Sequence, residues 1–164
     1  MQRGIVITTS SQTKSWLPEC LQSVKNSPYT IVIQDNGASG GFELAGIQKG
    51  KELFDEFIHL MDTTVVKDIS LFDKLFEMEG HVFLTNGGYH FMGKFVSDDL
   101  PDIPEVRFKE EAIALELHWL KGKKKSYFLP DLPVHTEVFE EKHGRKNMVL
   151  SNAFITKWKA TWSI

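Results

Sequence analysis

Apolar runs alternating with polar breaks organise the first half of the chain. Gly4-Ile5-Val6-Ile7-Thr8-Thr9 is short, β-branched and closed by Ser10-Ser11, the signature of a buried strand. Leu17, Cys20, Leu21 and Val24 then fall on one helical face, with Ser15 as the expected N-cap and Pro18 tolerated in the first turn. Tyr29 to Gln34 forms a second strand ending in Asp35-Asn36-Gly37, and Leu44, Ile47 and Phe54 mark a second helix. Gly46 and Gly50 weigh against that helix, each by about 1 kcal/mol relative to Ala.

The run beginning at Phe57-Ile58-His59-Leu60-Met61 is too short for a free-standing helix and suits a strand covered on both faces; it stops on Asp62. Leu71, Phe72, Leu75 and Phe76 predict a third helix that begins around Asp68-Ile69-Ser70. His81 to Thr85 is a fourth strand, whereas Tyr89 to Phe95 mixes aromatics with Gly93 and carries no assignment. A long helix is expected over 104–120, with Val106, Ile113, Leu117 and Leu120 inward, then a short strand over 126–129. From His135 onward the sequence has no clear period. The β-α-β-α-β-α order predicts an α/β fold with a mostly parallel central sheet and helices on both faces.

Length changes little in this picture: 164 residues suit a single domain with a real core. Hydrophobic residues at 41% and charged residues at 25% are ordinary globular values. The absence of a membrane-length apolar run or a secretory leader leads to an expected cytoplasmic location. The single cysteine, Cys20, excludes an internal disulfide. A net charge of −3 argues against a nucleic-acid partner. Charge is unevenly spread, however: residues 121–164 hold nine Lys/Arg against four Asp/Glu, so the tail is basic and the body acidic.

Ligands in open α/β sheets gather at the carboxyl ends of the strands, where Thr8-Thr9, Asp35-Asn36 and Asp62 fall in turn. Read without further context, Asp35 and Asp62 are also what tight turns contain. In order and spacing, these three strand ends resemble the nucleotide-sugar half of family 2 glycosyltransferases with the GT-A fold. The resemblance covers residues 4–68 and, more loosely, 104–129.

That resemblance implies a single GT-A-like (Rossmann-like) domain over 1–164, with 1–68 binding the nucleotide sugar and 81–164 forming the acceptor side and closing part. It implies a nucleotide-binding set of Thr8, Thr9, Asp35, Asn36, Asp62 and Arg145, and a divalent metal, Mn²⁺ or Mg²⁺, on Asp62 and His143. Glu110-Glu111 resembles the family's acidic pair at a helix start, which makes Glu111 the expected general base, with Glu110 and Glu116 as neighbours. Lys142-His143-Gly144-Arg145 resembles a C-terminal basic loop that meets the diphosphate. The third strand presents one acid, with Met61 and Thr64 where a second carboxylate of a DXD motif could stand.

The function implied is metal-dependent, inverting transfer of a sugar from a nucleotide diphosphate donor, a UDP-sugar first, to a hydroxyl acceptor. A non-catalytic nucleotide-sugar-binding module is the alternative. A nucleotidyltransferase ranks third, for want of a Gly-rich phosphate loop followed by Lys after the first strand.

Overall fold

The computed structural model describes residues 1–39, 43–86, 89–100, 126–128, 135–142, 145–151 and 154–158. At its centre, β1 (Arg3–Thr9) pairs in parallel with β2 (Thr30–Asp35) on one side and with β3 (Glu56–Met61) on the other. Beyond β3 come β6 (Tyr89–Val96), then β5 (His81–Asn86), then β7 (Ser126–Phe128). β6 is antiparallel to both neighbours, and β7 is parallel to β5. Five strands therefore run one way and β6 runs against them. The fold is mixed α/β with a mostly parallel sheet, as the alternation predicts.

Burial on both faces explains the continuous apolar runs. Ile5 and Ile7 of β1 and Ile58 and Leu60 of β3 face α1 (Leu17–Val24) and α3 (Ser70–Glu77), packing with Cys20, Val24, Leu71, Phe72, Leu75 and Phe76. Val6 and Phe57 point to the other face, against Leu44 and Ile47 of α2 (Glu43–Leu53) and against Phe95. The period of two along each strand thus separates two apolar layers.

The glycines that count against α2 by propensity are what seat it. A Cβ on Gly46 would stand 2.2 Å from Thr8 Oγ1, and one on Gly50 would stand 2.3 Å from the Phe57 ring. Their helix cost is offset by a close approach of helix to sheet that a larger residue would forbid.

The α1 boundary differs from expectation. Ser15 lies inside a 3-10 turn, Lys14–Trp16, and the N-cap is Trp16, which makes no side-chain cap bond; Pro18 occupies the first turn as expected. At α3, Asp68 accepts the Ser70 N–H at 2.9 Å; the Ser70 hydroxyl first, and then this N–H, hold the exposed Asp68 carboxyl below its ordinary range.

Two further regions escaped the hydrophobic pattern. Tyr89–Val96 is an eight-residue strand in mid-sheet, although Lys94 stands where the core-facing period calls for an apolar residue. Lys94 is wholly buried because its ammonium donates to the carbonyls of Met78 at 2.6 Å and Gly80 at 2.5 Å, just past the end of α3. The aperiodic C-terminal region supplies β8 (His135–Lys142), β9 (Arg145–Ser151) and β10 (Ile155–Trp158), which with β4 (Thr64–Val66) make a second, antiparallel sheet ordered β4-β10-β9-β8. Ile155 joins the core beside Val66 and Phe72, and the N–H groups of Lys67 and Asp68 both donate to the Phe154 carbonyl. The helix expected over 104–120 lies outside the described residues. Among the described residues no helix is long and apolar enough to cross a membrane.

Candidate functional site

The carboxyl ends of β1, β2 and β3 meet at one edge of the sheet. Register places Thr8 beside Gln34 and Met61, and Thr9 beside Asp35, so five expected nucleotide-site residues, Thr8, Thr9, Asp35, Asn36 and Asp62, come together. They do so in two chemically different groups.

One group is internal. Asp62 is fully buried, and its Oδ2 accepts hydrogen bonds from Thr9 Oγ1 at 2.7 Å and Thr13 Oγ1 at 2.6 Å. Its backbone N–H donates to Thr8 O at 3.0 Å, continuing the β1–β3 ladder by one residue. With the Thr13 proton given to Asp62, Ser10 Oγ is the donor in its 3.1 Å contact with Thr13 Oγ1. Buried carboxylates need such partners, since the desolvation of a lone charge is severe. Thr8 serves the opposite face, where its hydroxyl meets His59 Nε2 at 2.7 Å beneath α2.

The other group faces solvent. Lys14 Nζ donates to Asp35 Oδ2 at 2.5 Å, with the two side chains 54% and 44% exposed. Asp35 Oδ1 accepts the Gly37 N–H at 2.8 Å, in a turn that Gly37 permits by its φ of 57°. Lys14 first, and then the Gly37 N–H, hold the Asp35 carboxyl below its ordinary range. Two backbone bonds tie the β1 and β2 loops together, Asn36 N to Thr9 O at 2.9 Å and Ser11 N to Gly37 O at 2.8 Å.

The buried group fixes the exposed one. Thr13, bound to Asp62, also receives the Trp16 N–H on its carbonyl at 2.9 Å, and Trp16 is buried against Val65. Lys14 is held between these two anchors. Neither Thr13 nor Lys14 was singled out from the sequence; the available signal was five hydroxyl residues, at 8–11 and 13, followed by a lone cation after a buried strand.

The remaining expected residues are not brought to this edge by anything described. Glu110, Glu111, Glu116 and His143 lie outside the described residues. Arg145 is paired in the backbone ladder with Lys142, at the end of the β8–β9 hairpin where the two strands are joined.

A divalent cation fits the described part of this site poorly. Hard cations take their coordination from carboxylate lone pairs at the ligand's edge, whereas Asp62 is wholly buried with two hydroxyl protons aimed at Oδ2. Among the described residues no three His, Cys, Asp or Glu side chains are grouped to hold a metal.

No protein-family model matches the chain, and no curated protein does. Solved structures do. A candidate nucleotide-diphospho-sugar transferase from Desulfovibrio desulfuricans G20 matches with a TM-score of 0.50 at 11% identity, over 79% of this chain and 80% of that one. A197 from STIV matches with a TM-score of 0.51 at 15% identity, over 100% of this chain and 98% of that one. The chain shares their fold. At these identities the likeness is one of architecture.

Proposed function

We propose that the chain binds a nucleotide-diphospho-sugar at the shared carboxyl edge of β1, β2 and β3 and transfers its sugar to an acceptor hydroxyl. The observation that carries this reading is the convergence of Asp35, Asn36 and the Thr9–Asp62–Thr13 cluster on one edge of a parallel sheet, where α/β folds place their ligands. The fold shared with a candidate nucleotide-diphospho-sugar transferase supports it.

In the transfer, the acceptor oxygen bonds to the anomeric carbon as the bond from that carbon to the diphosphate oxygen breaks. The acceptor proton goes to a base, for which Glu111 is the candidate and Glu110 and Glu116 the alternatives. A positioned base of this kind contributes about 10²–10⁴-fold. Charge leaves with the nucleoside diphosphate and has to be met by positive charge or hydrogen-bond donors. No step is assigned to a metal, because Asp62 is buried and its Oδ2 already accepts from Thr9 and Thr13.

That commitment favours a second reading, a nucleotide-sugar-binding module without turnover. Calorimetry with UDP, GDP and their sugars, followed by product detection over a panel of hydroxyl acceptors, separates the two. Nucleoside diphosphate released together with a glycosylated acceptor of inverted configuration is the result expected of the transferase. Binding with no product selects the module, and no binding of any nucleotide overturns both. A Glu111→Gln variant with undiminished transfer removes Glu111 as the base.

A further inference from the structure

We propose that Lys14 is the phosphate-binding cation of this edge, and that it leaves Asp35 for the diphosphate when a nucleotide enters. The inference rests on the nucleotide-sugar reading and names the residue that would meet the diphosphate. It starts from the way Lys14 is held. Thr13 on one side is bound to Asp62, Trp16 on the other is buried, and of the two exposed residues between them, Lys14 and Ser15, Lys14 carries the charge, its side chain 54% exposed.

Two other described cations, Arg3 and Lys94, do different work. Arg3 pairs with Glu56 at 2.9 Å and lies over the Phe76 ring, at the amino-terminal edge of the sheet. Lys94 is buried on the carbonyls of Met78 and Gly80. Lys14 is placed at the carboxyl edge, on the loop leaving β1, within reach of the loop leaving β2.

The Lys14–Asp35 pair is of the exchangeable kind. Both partners are about half exposed, and such pairs contribute little to stability because water competes for each charge. A diphosphate brings more negative charge than one carboxylate and more acceptor oxygens, and lysine is a regular phosphate ligand. Exchange releases Asp35 Oδ2, while Oδ1 keeps the Gly37 N–H that fixes the carboxylate's direction. The freed oxygen can then accept from a base N–H or a ribose hydroxyl. One ion pair would thus close the edge when no nucleotide is bound and divide into two ligand contacts when one is.

The test is calorimetry on the full chain with uridine, UMP and UDP, and with guanosine, GMP and GDP, in EDTA, for wild type, Lys14→Met and Lys14→Arg. Removing one charge-assisted contact predicts about 10- to 100-fold weaker diphosphate binding in Lys14→Met, nucleoside binding unchanged, and most of the loss restored by Lys14→Arg. The wild-type diphosphate affinity should also fall with salt more steeply than that of Lys14→Met. Thermal unfolding of the variants, expected at the wild-type temperature, shows that they fold. Equal losses for nucleoside and diphosphate, or no loss, overturn the role of Lys14 while leaving the nucleotide site intact. Diphosphate binding that needs Mn²⁺ and ignores Lys14→Met overturns it as well. If no nucleoside or nucleotide binds the wild type, the nucleotide-sugar reading falls and takes this inference with it.

Discussion

Thr13 donates its hydroxyl proton to Asp62 at 2.6 Å across 49 residues of sequence, joining the loop that leaves β1 to the end of β3 inside a fully buried cluster. The contact makes Asp62 a structural anchor for the edge of the sheet at which the nucleotide site is proposed.

Loss of that contact should show in stability. Thr13→Val keeps the shape and removes the donor, and hydrogen bonds to charged groups contribute about 1.5–3 kcal/mol. Urea unfolding should register a loss of that order. The change should be non-additive with Asp62→Asn, because that substitution takes the charge from the same hydrogen bond that Thr13→Val removes. A loss below about 0.5 kcal/mol would show that the contact does not hold in solution.

Gly46→Ala sets two effects against each other. Alanine favours the helix by about 1 kcal/mol, while its Cβ would stand 2.2 Å from Thr8 Oγ1 and 2.6 Å from His59 Nε2, both buried. Overpacking of this kind costs about 1–3 kcal/mol and more where neighbours cannot move. The expected outcome in thermal unfolding is a net loss of stability; a stabilised variant would mean that α2 sits further from β1 and β3.

Tyr29 gives a spectroscopic check. Its hydroxyl donates to Asp73 of α3, and burial, then the Asp73 hydrogen bond and charge, push its pKa from 10.0 up to about 12. A raised folded-state value means that the contribution to stability is complete below 10.0 and is lost as pH rises through about 12. In a phenolate absorbance titration, one of the three tyrosines should therefore ionise late, and Tyr29→Phe should remove that late step. A late step that persists in the variant belongs to another tyrosine and defeats the prediction.

Lys94 carries the opposite sign. Burial lowers its pKa from 10.5, so over the pH range just below 10.5 the unfolded chain binds more protons than the folded one, and stability contributed by this group rises with pH. Lys94→Met lacks the titrating group. Wild-type stability minus that of Lys94→Met, followed by denaturant unfolding on approach to pH 10.5, should increase; a flat difference would place the ammonium in water.

Local pattern was enough to determine the strands at Ile5, Ile31 and Ile58, the amphipathic faces of α1 and α3, and the order of acids at strand ends, because each is set by neighbours two to four residues apart. Strand β6 escaped, since Lys94 breaks its apolar period and is satisfied only by carbonyls 14 and 16 residues away. Strand β10 escaped for a similar reason, since one of its pairing partners lies as far back as Val66, whereas β8 and β9 pair locally as a hairpin whose register shifts twice, so no regular period of two marks it. Asp35 and Asp62 looked alike in sequence, each an acid closing an apolar strand. Tertiary structure alone made one a buried acceptor for two threonines and the other a solvent-facing partner of Lys14. Which side of the edge each carboxylate faces depends on how the loop 10–13 folds back over β3, and that is a long-range packing outcome the residues around each acid do not encode.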